Sequence, residues 1–452
     1  MGIHSPIVDV AAYLEATADA DYHRQRAIHR AWKMYRGEQR KPLRVLPGEP
    51  DDNVILNLAG LIVDTGVDAL FGQDITAQVL TGDQPDDIGT AYLHSVLEAN
   101  REMLLFQSAA TNGAVAGHAA IRIMPPVEGA PPGTLPRLLV VDPEMLRVVW
   151  APDDVGAVEA YVLQWTTYDA RGKEIGKRQI IQRDGNGWVT VEQESQGATS
   201  GRWVTLAETP WNFTWAPIVD TQNLPEPNSY WGRPDLTEDV TQTQEAINRV
   251  ISNSMRVQRI HGHPKVVAKG VGDGDLDVGP DEAIVLPDSD SDISLLEPRA
   301  TVADAMELFR TVKAALHEIS RVPEITAGRL DNVGQLSGLA LKILYGPLVR
   351  KTEVKRRLYG GMVEELGRRL LEMGGYGPDH HVEIMWPEII PSDPVVQAQA
   401  ADALQRAGVS QATTLAEMGY DPQAEAEAKA QEQTNIGAAL LTAFDKGTGA
   451  PA

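Results

Sequence analysis

Two helix-like segments, about Pro234–Ile260 and Thr301–Arg321, bracket a short acidic stretch and dominate what this chain can become. The first carries Leu236, Val240, Ile247, Val250, Ile251 and Met255 at helical spacing. The second carries Val302, Met306, Phe309, Val312, Leu316 and Ile319 in the same way, with Asp304 three residues after Thr301 in a capping-box arrangement. About 26 residues at 1.5 Å each make the first segment roughly 39 Å long. A Gly- and Asn-containing loop follows, then a long helical pattern from about 338 to 373 with Pro347 inside it, where a lost backbone donor predicts a kink. None of this has the look of an active site. It reads as a structural hairpin built to stand beside copies of itself.

Around that centre the chain alternates between helix and strand signals. Residues 7–37 read as one helix, Asn57–Gly72 as another, and 88–116 as one or two more. Gly117–Met124 and Arg137–Val141 read as strands. From about 147 to 208 the pattern is that of an antiparallel meander, with turns at Asp169–Gly172 and Asp184–Gly187. Residues 221–233 read as a loop, KVVAKG and EAIVLP as two short strands, and VEIMWP as a strand-like return. The tail from Ser392 is rich in Ala, Gln and Glu and reads as helix with a break at Gly408-Val409-Ser410. The fold class expected is α+β.

Composition excludes several functions. A net charge of −23 argues against passive wrapping of nucleic acid, which needs clustered Lys and Arg. With no cysteine, disulfides and thiolate metal sites are impossible. The N-terminus lacks the basic head and apolar core of a signal peptide, and Pro6 makes myristoylation unattractive. No apolar run reaches the roughly 18 residues of a bilayer span, so a soluble protein made in the cytoplasm is expected.

The chemical motifs fail one by one. KVVAKGVGDGD (Lys265–Asp275) lacks both the third glycine of a dinucleotide loop and a following apolar helix. Asp273, Asp275 and Asp277 mimic the start of an EF-hand, but Val278 and Ile284 stand where Gly and Glu are required, which leaves a solvated acidic turn. His261 with His263, and His380 with His381, lack metal-ligand spacing. Gly172 and Gly176-Lys177 are one residue short of a phosphate loop, with Arg178 where Ser or Thr is needed. GxSxG is absent. No enzyme, metal or cofactor is expected. The long helix is locally basic through Lys342, Arg350, Lys351, Lys355, Arg356, Arg357, Arg368 and Arg369. These are read either as a solvated face or as partners for acidic surfaces of a neighbouring copy.

Several motifs in collinear order resemble one family. YRGEQ (Tyr35–Gln39) with NL…IVDT…LFG, the run WGRPDL…TQTQEAINRVISNSM, SGLALK (Ser337–Lys342), and WPEIIPSDPVVQAQAADALQRAGVSQATTLAEMGYDP are similar to portal proteins of tailed double-stranded DNA phages, of the siphophage type. The resemblance spans roughly residues 20–435.

It implies a portal fold: a mainly helical wing with an antiparallel β subdomain, a two-helix stem, a small α/β clip and a helical crown. The wing would comprise 1–230 and 338–390, the stem helices 231–262 and 299–323, the clip 263–298, the tunnel loop 324–337 and the crown with the tail 391–452. It also implies a ring, usually of twelve subunits, at one capsid vertex of the virion. That ring is the channel for DNA packaging and ejection, and the docking site for the terminase large subunit and the head-completion adaptor. Major capsid and scaffold proteins would be further partners, with double-stranded DNA passing through and no membrane involved.

The tunnel-loop residues Gly328, Arg329, Asp331, Asn332, Gly334 and Gln335, with the stem cations Arg256, Lys313 and Arg321, are the expected DNA-channel set; Arg249 and Arg259 are further stem cations. Asp273, Asp275, Asp277, Asp281 and Glu282 are the expected clip residues for partner docking. An acidic wall would keep DNA centred without binding it tightly. The alternatives are a monomeric acidic scaffold or adaptor that recruits a partner through 263–298, or an enzyme on an α+β scaffold that lacks a recognisable motif.

Overall fold

The computed structural model describes residues 9–127, 129–131, 133–185, 187–196, 202–261, 265–269, 292–296, 302–324, 338–389, 401–411, 413–414 and 429. The chain divides into two compact units, Met1–Gly334 with Leu344–Pro387, and Gln335–Ile343 with Glu388–Ala452.

The first unit opens with α1 (Val10–Ala16) and α2 (Ala18–Tyr35), where one helix is expected from the sequence. Thr17 breaks it. Its hydroxyl donates to the Tyr13 carbonyl at 3.0 Å and meets the Asp21 carboxylate at 3.2 Å, so a side chain competes for the backbone at the junction. Next come α3 (Leu58–Phe71), β1 (Thr76–Thr81), β2 (Gln84–Pro85), α4 (Asp87–Ala99) and α5 (Glu102–Ala116). Asp86 caps α4 by accepting from the Ile88 and Gly89 amides, both at 3.1 Å. Gly117, at φ 87°, ends α5, and a Cβ there would lie 2.2 Å from the Gly232 carbonyl, so only glycine fits.

The strands β3 (His118–Met124) and β4 (Arg137–Val140) then pair with β10 (Ile218–Gln222) in the order β10-β3-β4. Between them β5 (Leu146–Ala151), β6 (Asp154–Tyr168), β7 (Glu174–Asp184), β8 (Gly187–Gln196) and β9 (Trp203–Trp211) form the expected five-stranded meander. One face buries Val149, Val162, Ile180 and Val191 against Val10 and Leu14 of α1. The other buries Leu146, Tyr161, Ile181 and Trp188 against Ala120, Ala216 and Ile218. Strand β10 overlaps the segment read as a loop from 221, because its hydrogen-bond partners lie about a hundred residues earlier in β3.

The bracketing helices are α6 (Glu238–His261) and α7 (Val302–Ser320), which pack against each other. Helix α6 starts later than Pro234. Between them β11 (Lys265–Lys269) pairs with β12 (Asp292–Leu296); the EAIVLP segment lies outside the described residues. Helix α8 (Gly338–Met373) has the predicted span and runs as one helix through Pro347. The chain returns in β13 (His380–Met385), which pairs with β1 from Thr76↔Met385 to Thr81↔His380.

The main core joins α3, α4, α5 and α8. Phe71 stacks on Phe106 at 5.6 Å and meets Tyr359 edge-on at 5.9 Å. A Cβ at Gly113 would lie 1.9 Å from the Tyr359 hydroxyl, so this glycine lets α8 approach α5.

In the second unit, residues 401–406 are helical and Gly408, at φ 92°, ends the turn. Ser410 then accepts from the Thr413 amide at 3.1 Å as the cap of a following turn.

Candidate functional site

The α6–α7 pair is attached to the rest of the first unit by part of the apolar stripe expected from the sequence, with Val240, Ile247 and Leu316 in the main core, and by polar contacts beside it. Leu236, just before α6, and Val240 and Ile247 on it are buried, but Val250 and Ile251 are half-buried and Met255 is 46% exposed. Beside these apolar residues the inward face carries a ladder of Gln244, Asn248 and Ser252, spaced four residues apart and all buried. It hydrogen-bonds the backbone of residues 54–59, the segment that leads into and opens α3. Gln244 donates to the Leu56 carbonyl at 2.6 Å and accepts from the Ala59 amide at 3.1 Å. Asn248 accepts from the Leu56 amide at 3.0 Å, and Ser252 exchanges hydrogen bonds with Val54 at 2.9 and 3.2 Å. The same register reaches Arg256, which bonds the Arg44 carbonyl at 3.0 Å and Asp52 at 3.4 Å; Arg259 clasps Asp52 with two bonds of 2.7 Å. Those bonds hold the Asp52 carboxyl below its usual pKa, chiefly through Arg259.

At the other end of the pair lies a buried charge cluster. Asp235, just before α6, is fully enclosed, with Lys355 at 2.6 Å and Lys351 at 3.1 Å, both from α8. Lys351 also donates to the Ser320 carbonyl at the end of α7, at 3.1 Å. Asn223 bridges the Asp235 carboxylate and the Arg233 carbonyl, each at 3.2 Å, and accepts from Tyr359 at 3.2 Å. One cluster therefore ties the start of α6, the end of α7 and the middle of α8. Burial alone would push the Asp235 carboxyl up; the two lysines outweigh it and hold it at about 2. Burial pushes the Lys355 ammonium down, partly offset by Asp235.

A pH prediction follows from the shift of Asp235 from 3.8 to about 2. A carboxyl depressed on folding contributes stability above its unfolded pKa, and that contribution is lost as pH falls through the folded one. Asp235 is expected to contribute about 2 kcal/mol at pH 5 and almost nothing at pH 1.5. Urea unfolding across that window, compared with Asp235→Asn, checks it: the variant lacks this component of the acid loss.

The predicted residues distribute unevenly. Arg256 is tied to Asp52 and the Arg44 carbonyl rather than free. Lys313 pairs with Glu324 at 2.7 Å. Arg321 is exposed directly after α7, with a left-handed φ of 61°. Gly328, Arg329, Asp331, Asn332, Gly334 and Gln335, and the acids Asp273, Asp275, Asp277, Asp281 and Glu282, lie outside the described residues. The basic residues of α8 are largely engaged within the chain. Beyond the two buried lysines, Arg368 and Arg369 bond Glu365 at 2.7 and 2.6 Å, and Arg356 lies over the Trp386 ring.

Sequence reasoning missed Asp235, Asn223, Lys351, Lys355 and Tyr359 as a group. The available signal was register: Lys351, Lys355 and Tyr359 continue the stripe of Leu348, Met362 and Leu366. Among the described residues, no group of three His, Asp or Glu side chains could hold a metal ion, and no helix is long and apolar enough to cross a membrane.

The sequence profile of one family, "Phage portal protein, SPP1 Gp6-like", matches residues 17–437. The chain belongs to the phage portal family. One solved structure shares the fold. A chain of the structure described as "Neck of empty GTA particle computed with C6 symmetry" is similar with a TM-score of 0.50 and 14% identity, covering 81% of this chain and 91% of that chain. A chain of "Virion of native gene transfer agent (GTA) particle" gives 0.46 and 14%, covering 84% and 96%. No curated protein matches. The portal chain described here thus has a mixed fold of helices and antiparallel sheets, in a family of structural proteins.

Proposed function

We propose that this portal protein forms a closed ring of twelve copies at one capsid vertex. The ring is the channel for genome packaging and ejection, and the platform for the terminase large subunit and the head-completion adaptor. The single observation that carries this reading is the family match over residues 17–437, almost the whole chain. The α6–α7 pair supports it, because a rigid hairpin anchored at both ends is what a channel wall requires. In this reading α6 and α7 are the stem, residues 263–298 the clip, 324–337 the tunnel loop, 1–230 with 338–390 the wing, and 391–452 the crown and tail. Met255, Leu308 and Ile319, at 46%, 52% and 42% exposure on the stem helices, are apolar surface that neighbouring copies would cover.

Within this reading the channel set divides by what each cation already contacts. Arg256 and Lys313 already have acidic partners, so their charge toward DNA is muted and Arg321 is the stronger candidate for phosphate contact. Tight binding is not required of a channel that DNA must move through.

Deleting Gly328–Gly334 tests the tunnel-loop assignment. The variant is expected to assemble rings of unchanged size and to package far less DNA, read as nuclease-protected genome per particle. Normal packaging would remove the assignment.

A further inference from the structure

The buried cluster is unbalanced. One carboxylate, Asp235, faces two lysines, Lys351 and Lys355, whose side chains are 6% and 3% exposed. A buried charge without a counter-charge is costly, so a surplus ammonium at this depth calls for a compensating anion. Beside it opens a cavity of about 210 Å³. Arg233, Arg321 and Lys351 line it, together with Asp235, Thr237 and Asp239. Among the described residues, neither the Arg233 nor the Arg321 guanidinium has an ion-pair partner, and both are exposed. The two acids do not cancel the cations. Asp235 is already shared by Lys351 and Lys355, so Arg233 and Arg321 face only Asp239 and the site keeps a surplus of positive charge.

We propose that this cavity binds a phosphate-class oxyanion between Arg233, Arg321 and Lys351. Guanidinium groups offer paired donors matched to phosphate oxygens, and a deep ammonium adds charge in a weakly screened position. The three cations come from the loop before α6, the residue after α7 and the middle of α8. A bound anion therefore clamps the same three elements that Asp235 joins, and neutralises the surplus lysine. The cavity lies within one chain, so the site does not depend on ring assembly.

Calorimetric titration of the full chain with inorganic phosphate, at constant ionic strength in chloride, tests this. One phosphate per chain is expected, with affinity falling about tenfold in Arg233→Gln and again in Arg321→Gln. Both positions are exposed, so thermal unfolding in phosphate-free buffer should match the parent and certify the fold. A parallel titration with a short DNA duplex separates the sources. Weakening of duplex binding by the same two substitutions assigns the site to backbone phosphate; unchanged duplex binding assigns it to free phosphate. Absence of phosphate binding, or equal affinity in parent and both variants, overturns the proposal and leaves the portal reading untouched.

Discussion

Asp235→Asn is expected to lower the unfolding free energy by about 3–5 kcal/mol. The substitution keeps the volume and removes the charge. Lys351 and Lys355 are then buried side by side with no carboxylate, their side chains only 6% and 3% exposed. The loss is far larger than for the exposed pair Arg310–Glu307, whose partners stand at 72% and 73% exposure and whose removal should cost well under 1 kcal/mol. It is also a large fraction of the 5–15 kcal/mol that holds a typical domain together. Chemical unfolding measures the size of the effect, and a companion variant measures its cause. Replacing Asp235, Lys351 and Lys355 together by apolar residues of similar volume removes every buried charge and should recover most of the loss. If the triple variant is as unstable as Asp235→Asn, the penalty comes from packing rather than from unpaired charge.

Ile247→Pro should cost about 3 kcal/mol in helix energy alone and abolish ring assembly. Ile247 is fully buried in the middle of the 24-residue helix α6. The ring of proline removes one intrahelical hydrogen bond and pushes against the preceding turn. The bend falls between Gln244 and Asn248, so the polar ladder loses register with residues 54–59 on both sides of it. Each ladder bond broken in a buried setting adds about 1–3 kcal/mol. Arg249→Ala, on the exposed face of the same helix, is the matched control and should assemble normally. Intact rings from the proline variant would remove α6 from the stem.

The contrast between α8 and its neighbours explains what could be read in advance. The span of α8 was legible because 36 residues of periodic pattern average out local exceptions. The meander was legible because its strands pair with sequence neighbours across short turns. Strand β1 and the start of β10 were not, because their partners are distant: Thr76 pairs with Met385, and Val219 with Ile121. The inner face of α6 was read only in part, for a different reason: Val240 and Ile247 are in the core as expected, but they share that face with polar residues. A search for apolar periodicity passes over Gln244, Asn248 and Ser252, which are inside because the backbone of residues 54–59 needs hydrogen-bond partners there. Lys351 and Lys355 were counted with the solvated charges of α8, since sequence alone does not disclose that Asp235, over a hundred residues earlier, waits between them. The portal family itself was legible, because it rests on the order of motifs along the chain rather than on any single contact.

The central claim is the ring, and native mass spectrometry of the purified full-length chain tests it most directly. The account predicts one dominant species near twelve times 49.1 kDa, with a central hole wide enough for duplex DNA in images of the same sample. A single species at 49.1 kDa, persisting at the highest attainable concentration, would contradict it and favour an acidic adaptor that works as one copy.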